Sequence, residues 1–163
     1  MSAPRIPPLL WLAAAAAAVL ALGAWLLLAA PAVDPPGPRD PITTAELRAL
    51  RADPAVVAEG RRLFAANCTL CHGVKGQGDR GPNLRDGYWL GGAQLTDLVE
   101  VIGNGRPSKG MVAWRFGLKP AQIHALAVFV ASLQGSEDGT GKAPQGTAQV
   151  VDGPAPAAGP AQP

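Results

Sequence analysis

The chain has 163 residues, of which 48% are hydrophobic and 16% charged, and its formal net charge at pH 7 is +2. This weak charge gives no sign of a nucleic-acid partner, and the sequence has no phosphate-binding loop and no pair of carboxylates placed for acid–base catalysis. We therefore expect neither nucleic acid nor a small-molecule substrate among its partners, and we do not expect the chain to be an enzyme.

The N-terminal segment 1–30 is predicted to be a transmembrane anchor. Residues 9–30 form an apolar run of 22 residues without a charge, which as a helix would extend about 33 Å and could cross a bilayer. The alternative is a cleaved secretory signal, since Ala30 and Ala32 offer a small-residue processing site, although the apolar part of a signal is usually shorter. Arg5 precedes the run and favours a single-pass protein, in contact with lipid, whose N-terminus lies in the cytoplasm and whose following domain lies outside. We expect this to be the inner membrane, with the domain on its periplasmic face.

Two stretches rich in proline or glycine bound a compact unit at residues 43–134. Residues 31–42 contain five prolines, which disfavour a helix and predict a semi-rigid linker. Residues 135–163 are rich in Gly, Pro and Ala and show no sustained periodicity, so we predict a disordered tail. The predicted order is therefore anchor, linker, domain and tail.

The unit at 43–134 is predicted to be all-α, because helical periodicity recurs along it and no strand alternation stands out. Three helix starts are marked by capping residues or by a proline in the first turn, namely Thr43 with Glu46, Asp53 with Pro54, and Pro120. A further helix carries its apolar positions at 95–102 and is predicted to end at Gly103. The loops 73–93 and 104–119 are long for a domain of this size, which indicates that something orders them.

The two cysteines of the chain, Cys68 and Cys71, are followed directly by His72. A local disulfide would close a very small loop and stabilise little, and a dithiol redox site usually lies beside a βαβ unit, which this sequence lacks. A zinc site needs four ligands, and the remaining candidate, His124, stands at the wrong spacing. Cys-x-x-Cys-His is the attachment motif of c-type haem, and its thiols share one face of a helical turn. We therefore expect one covalent haem c, with His72 on the iron.

The second axial ligand of that iron is predicted to be Met111. This methionine lies 39 residues after His72 in the second long loop, and a thioether opposite an imidazole fills both axial positions and raises the reduction potential. His124 is the competitor, but it lies off the apolar face of the last helix. We expect it to be an exposed helical histidine.

Residues 54–134 resemble a class I cytochrome c domain, and they are most similar to the haem c domains of the membrane-anchored cytochrome subunit of C-type (cbb-type) haem–copper oxidases. Three segments besides the attachment motif carry the resemblance, and these are "GPNL" at 81–84, "DGYWLGG" at 86–92 and "GMVAW" at 110–114. The resemblance implies that the Pro82 carbonyl accepts a hydrogen bond from His72, that Trp89 lies over the haem and that Arg106 faces a propionate.

The same resemblance implies that the first and last helices of the domain cross at Gly60 and Phe64, against Val128 and Phe129. Two features depart from the family. Val112 stands where a proline usually follows the ligand methionine, and the chain carries one haem motif where the oxidase subunit carries two.

Three functions are compatible with these features. The first is a membrane-tethered single-haem cytochrome that carries single electrons between membrane-bound redox complexes of a respiratory chain. The second is a haem c subunit fixed in an oxidase or dehydrogenase complex. The third, a haem enzyme or gas sensor, requires an open sixth position on the iron, and Met111 argues against it.

Overall fold

The computed structural model describes residues 18–25 and 40–152. Residues 18–25 are helical, and their side chains are mostly exposed. Within these two ranges, no helix has both the length and the apolar character needed to cross a membrane. The remainder of the expected anchor, most of the expected linker and residues 153–163 lie outside the described residues.

Two helices open the domain where the capping residues predict. Helix α1, Thr44–Ala52, begins with a capping box in which Thr43 Oγ1 accepts from the Glu46 backbone N–H at 3.2 Å and Glu46 Oε2 accepts from the Thr43 N–H at 2.8 Å. Helix α2, Pro54–Asn67, begins after Asp53, whose carboxylate accepts from the Ala55 N–H at 2.8 Å. Both predicted starts are confirmed.

The later helices also form, with one boundary moved. The one-turn helix α3, Thr69–His72, is followed after a long loop by helix α4, Leu95–Asn104, and helix α5 spans Pro120–Leu133. The predicted end of α4 at Gly103 is wrong. Gly103 is helical and buried, and the chain leaves the helix at Gly105, whose φ of 67° suits glycine.

Helix α2 crosses helix α5, and this contact is the centre of the hydrophobic core. A Cβ added to Gly60 would lie 2.7 Å from the Ala125 carbonyl carbon and 2.7 Å from Phe129 Cβ, so only glycine lets the backbones approach this closely. The rings of Phe64 and Phe129 pack with their centroids 5.4 Å apart. Helices α1 and α4 pack against α5 and complete the core, in which Val128 is fully buried.

The segment after α5 differs from the sequence prediction. A short antiparallel pair joins strand β1, Tyr88–Trp89, to strand β2, Thr147–Ala148, so the domain is helical with one added pair of two-residue strands. The expectation of a disordered tail is wrong for residues 135–152, because this segment pairs with β1 and buries Val151, which is 6% exposed. Its ordering comes from contacts with distant loops, which local composition does not reveal.

Candidate functional site

The attachment motif continues directly from the end of α2. Cys68 caps α2 with its N–H on the Phe64 carbonyl, and its own carbonyl accepts from the His72 N–H at 2.9 Å. Cys68 caps this helical turn, and Cys71 lies within it three residues further along the chain. Both thiols are free and half-buried. Two thiols in this arrangement can bond to two points along the edge of one planar ligand.

The environment of Cys68 favours a neutral thiol. Burial, with a smaller contribution from Cys71, raises the pKa of the Cys68 thiol to about 11. A redox dithiol or a thiolate metal ligand needs the opposite shift, because the thiolate is the reactive form. In the described ranges, no three side chains among His, Cys, Asp and Glu cluster in a way that could hold a metal ion. The zinc alternative with His124 is therefore not assembled here.

The imidazole of His72 is fixed by the loop that follows it. His72 Nδ1 lies 3.0 Å from the Pro82 carbonyl oxygen, the contact that the family resemblance implies. A carbonyl oxygen can only accept, so Nδ1 must carry the proton and Nε2 must present its lone pair. An imidazole held in this tautomer is prepared to bind a metal through Nε2.

The loop between His72 and Pro82 closes back onto the motif. The N–H of Gly78 donates to the His72 carbonyl and that of Gly81 to the Cys71 carbonyl, each at 2.8 Å. A Cβ added to Gly81 would lie 2.7 Å from His72 Cε1, so the backbone lies directly against the ring. Burial lowers the pKa of His72, a shift that the Pro82 contact opposes and the nearby Lys142 charge reinforces. The imidazole is therefore neutral at pH 7, as a metal ligand must be.

Met111 is positioned by a tight hairpin with Arg106. The Arg106 N–H donates to the Met111 carbonyl at 2.8 Å, and the Met111 N–H donates back to the Arg106 carbonyl at 3.1 Å. A 3₁₀ turn, Pro107–Lys109, and Gly110 connect the two. This pairing fixes the Met111 backbone although Val112 replaces the usual proline. The Met111 side chain is half-buried against the edge of the core.

Two buried hydrogen-bond donors in the described part of the chain have no partner. They are Trp89 Nε1, on a side chain that is 7% exposed, and Asn104 Nδ2. Asn104 accepts from the Arg115 guanidinium through its oxygen, and Arg106 lies against Gly91. Unpaired buried donors are costly, and haem brings two carboxylates that can accept from them. The residues present therefore fit a haem, which needs two thiols, a neutral imidazole and donors to its carboxylates.

His124 is not the exposed histidine that its helical position predicts. Its Nε2 lies 3.0 Å from Asp40 Oδ2, and its side chain is 13% exposed. Asp40 also accepts from the Ile42 N–H at 3.0 Å. The segment before α1 thus covers this side of α5, a long-range contact that the periodicity of one helix cannot reveal.

Sequence analysis identified neither Asn104 nor Lys142 as part of this region. Lys142 Nζ lies 3.0 Å from the Arg80 carbonyl and 3.4 Å from the Gly81 carbonyl. One feature of the sequence could have drawn attention to Lys142, because it is the only basic residue in 135–163. Asn104 gives no comparable signal, because its free donor appears only once the fold buries it.

Comparison with known proteins places the similarity in the helical domain. Residues 55–130 match the family described as "Cytochrome C oxidase, cbb3-type, subunit III". The cbb3-type cytochrome c oxidase subunit FixP of Bradyrhizobium diazoefficiens is 42% identical over 83 residues, which cover 49% of this chain and 28% of the relative. Subunit CcoP of Cereibacter sphaeroides is 40% identical over 88 residues, or 52% of this chain and 30% of the relative. The chain therefore matches less than a third of these relatives' length.

A solved structure shares the fold. Cytochrome CL from the marine methylotroph Methylophaga aminisulfidivorans superposes with a TM-score of 0.50 and 25% sequence identity, covering 59% of this chain and 72% of that one. The matched families and this structural neighbour agree with the resemblance stated from the sequence motifs.

Proposed function

We propose, on the premise that residues 55–130 form a domain similar to the class I cytochrome c domains of cbb3-type oxidase subunits, that this chain is a membrane-tethered electron-transfer cytochrome with a single haem c. It would pass single electrons between membrane-bound redox complexes of a respiratory chain. The observation that carries the proposal is the His72 ring, held by Pro82 with its metal-binding nitrogen free, directly after two free thiols.

The residues proposed to hold the haem divide by task. Cys68 and Cys71 would form the thioether bonds, and His72 and Met111 would bind the iron. Trp89 would lie over the haem and Arg106 would face a propionate, as the resemblance implies. We add that the partnerless donors Trp89 Nε1 and Asn104 Nδ2 could donate to the propionates. The chain has two cysteines, which is enough for one attachment motif, and this supports a single haem.

When bound, haem c supplies an iron that takes up and releases one electron. The chain's own contribution is to hold that group rigid and dry. The Pro82 carbonyl keeps the proton on Nδ1 of His72, and the Arg106 pairing holds the Met111 backbone. Ligands that are fixed before and after electron transfer reduce the rearrangement that accompanies it. If His72 and Met111 both bound the iron, a small molecule would find no open position on it.

The domain boundaries and location belong to the same proposal. An anchor at 1–30, a linker at 31–42 and a cytochrome domain from 43 would place the haem on the periplasmic face of the inner membrane. A proline-rich tether limits the volume that the domain explores and so raises its effective concentration near membrane partners.

A fixed subunit is the second candidate, and the relatives favour it, since their names describe subunits of cbb3-type oxidases. The two candidates separate when membranes are solubilised in mild detergent and the protein is isolated. A single chain that partner complexes reduce and reoxidise by diffusion supports the carrier. Stoichiometric companion subunits that remain bound through size exclusion would replace the carrier by the fixed subunit.

A further inference from the structure

The segment 135–152, which we call the C-terminal strap, runs from the end of α5 over the loop that holds His72. Its first residue, Gly135, donates to the Arg85 carbonyl at 2.8 Å, and Lys142 donates its backbone N–H to the Gln77 carbonyl at 2.9 Å. At its far end the Asp152 carboxylate accepts from the Leu95 N–H at 3.2 Å and pairs with Arg48 at 3.1 Å. The strap is thus fixed at both ends and in the middle.

Lys142 is the point where the strap reaches the histidine loop. Its ammonium donates to the carbonyls of Arg80 and Gly81, at 3.0 Å and 3.4 Å. Hydrogen bonds from a charged donor are stronger than neutral ones, and the residue is half-buried. Together with the backbone bond to Gln77, Lys142 holds both sides of the loop.

These two carbonyls immediately precede Pro82, the residue that holds the His72 ring. Gly81 donates to the Cys71 carbonyl and lies against the ring itself. A movement of the 80–81 peptide therefore shifts the Pro82 carbonyl and the backbone surface beneath the imidazole together. The position of the ring depends on a contact made from 70 residues away in the sequence.

We propose that Lys142 is a positioning residue for His72, which it orients through the Arg80–Pro82 turn. The inference rests on the proposed function, in which His72 binds the haem iron. It assigns the C-terminal strap a role in setting the geometry of the histidine side of the haem, and it predicts that this role needs a positively charged donor at position 142.

The test compares three variants of the full chain: Lys142→Met, Lys142→Arg and the control Arg80→Gln. Arg80 lies in the same turn with an exposed side chain, and it contributes its backbone carbonyl to the contact. Its substitution removes one positive charge and leaves that carbonyl in place. The control therefore separates the loss of a nearby charge from the loss of the hydrogen bonds.

The first readout is amide hydrogen exchange at Gly78, Gly81 and Leu84, whose N–H groups close the loop. We expect exchange more than about fivefold faster in Lys142→Met, since fivefold is the factor for losing one hydrogen bond of typical net strength and this variant loses two. Lys142→Arg and Arg80→Gln should exchange as the wild type does. Equal exchange in Lys142→Met and Arg80→Gln would overturn the proposal.

The second readout is the low-spin electron paramagnetic resonance signal of the oxidised protein, which responds to the orientation of the histidine ring. The signal should broaden or shift in Lys142→Met. It should match that of the wild type in Lys142→Arg and in Arg80→Gln. Faster exchange with an unaltered signal would make Lys142 a structural residue only and would contradict positioning. Purified wild-type protein without covalent haem would instead refute the proposed function. The haem content of the samples is therefore measured before the variants are compared.

Discussion

At His72 the position of one proton depends on one backbone oxygen. The Pro82 carbonyl lies 3.0 Å from Nδ1 and can only accept, so the free lone pair belongs to Nε2. Gly81 provides the other half of this arrangement, because its backbone lies against the ring where a side chain would not fit. Two neighbouring residues thus determine both the tautomer and the location of the imidazole.

Gly81→Ala tests this arrangement. The added Cβ would lie 2.7 Å from His72 Cε1, so the ring or the turn must move and the Pro82 hydrogen bond must lengthen. We expect a visible change in the haem absorption spectrum and destabilisation by about 1–3 kcal/mol in urea unfolding. Gly117→Ala is the control for both readouts, since nothing lies within 4 Å of its added Cβ and its φ is −120°. A Gly81→Ala spectrum identical to that of the wild type would contradict the close packing.

Met111→Ala tests the proposed second ligand. Removing the thioether should lower the reduction potential, because sulfur ligation favours the reduced iron, and should let carbon monoxide bind. Val112→Ala is the matched control, since its side chain is 59% exposed next to the same hairpin. Oxidised wild-type protein that lacks the weak far-red sulfur-to-iron absorption would show that Met111 is not the ligand.

Sequence motifs could point to some of the proposed site residues because covalent haem attachment would require contiguous ones. Cys68, Cys71 and His72 lie within one turn, and Pro82 follows in a short segment similar to the family. Asn104 and Lys142 could not be found this way. Their roles depend on burial and on contacts across the fold, and an isolated lysine or asparagine in a sequence has no such signature.

Among the elements, the crossing of α2 and α5 is the part of the fold that the sequence predicted best. Helical periodicity and caps placed both helices, and Gly60 with Phe64 marked the contact. The structure corrects its details, since Ala125 joins Phe129 opposite Gly60. The angle at which the two helices cross determines which turn of α5 faces Gly60. The apolar periodicity of a single helix gives no information on that angle.

Gly60→Ala is expected to destabilise the domain by about 2 kcal/mol in denaturant unfolding, since the overpacking cost exceeds the roughly 1 kcal/mol gained in helix propensity. The added Cβ would lie 2.7 Å from the Ala125 carbonyl carbon, and a backbone atom cannot rotate away. Gly117→Ala is the control, because nothing lies within 4 Å of its Cβ position and its φ is −120°. Its effect should stay within about 0.5 kcal/mol. Equal effects of the two substitutions would argue against a close crossing.

The C-terminal strap should loosen in acid. The side chain and backbone N–H of Thr140, and then Arg85, hold the pKa of the Asp138 carboxyl well below its usual range. A carboxyl with a lowered folded-state pKa contributes stability above its unfolded value, near 3.8, and loses it as the pH falls further. The protection factors of the strap amides, which are corrected for the intrinsic pH dependence of exchange, should therefore fall below about pH 4.

Asp138→Asn isolates this contribution from the other carboxylates of the domain. The variant should have a looser strap at pH 7, and the protection factors of its strap amides should change less than those of the wild type between pH 5 and pH 3. An identical pH response in the two proteins would show that Asp138 does not hold the strap. Glu59, which pairs with Arg62 on α2, remains in both proteins and cancels in the comparison.

For the molecule as a whole, the domain can be understood as a small helical core extended by a ligand. The long loops 73–93 and 104–119 have few regular elements of their own, and the strap and the Arg106 hairpin tie parts of them down. Two buried donors among the described residues still lack acceptors. A bound haem would satisfy those donors and add a rigid apolar surface, which explains how a chain with such loops can be a stable domain.

His72→Ala tests this dependence of the whole domain on its ligand. Without the imidazole, haem should not be stably retained after expression with the maturation machinery, and the midpoint of thermal unfolding should fall below that of the wild type. His124→Ala is the matched control, because it removes a histidine that pairs with Asp40 outside the site. That variant should keep its haem. Normal maturation of His72→Ala would refute the assignment.

The most direct test of the central claim is the mass of the denatured chain after extraction with acidified organic solvent. Covalent attachment through Cys68 and Cys71 predicts that the pigment stays with the polypeptide and that the chain carries the mass of one haem. Release of the pigment into the solvent, or a purified chain with no added mass, would contradict the account.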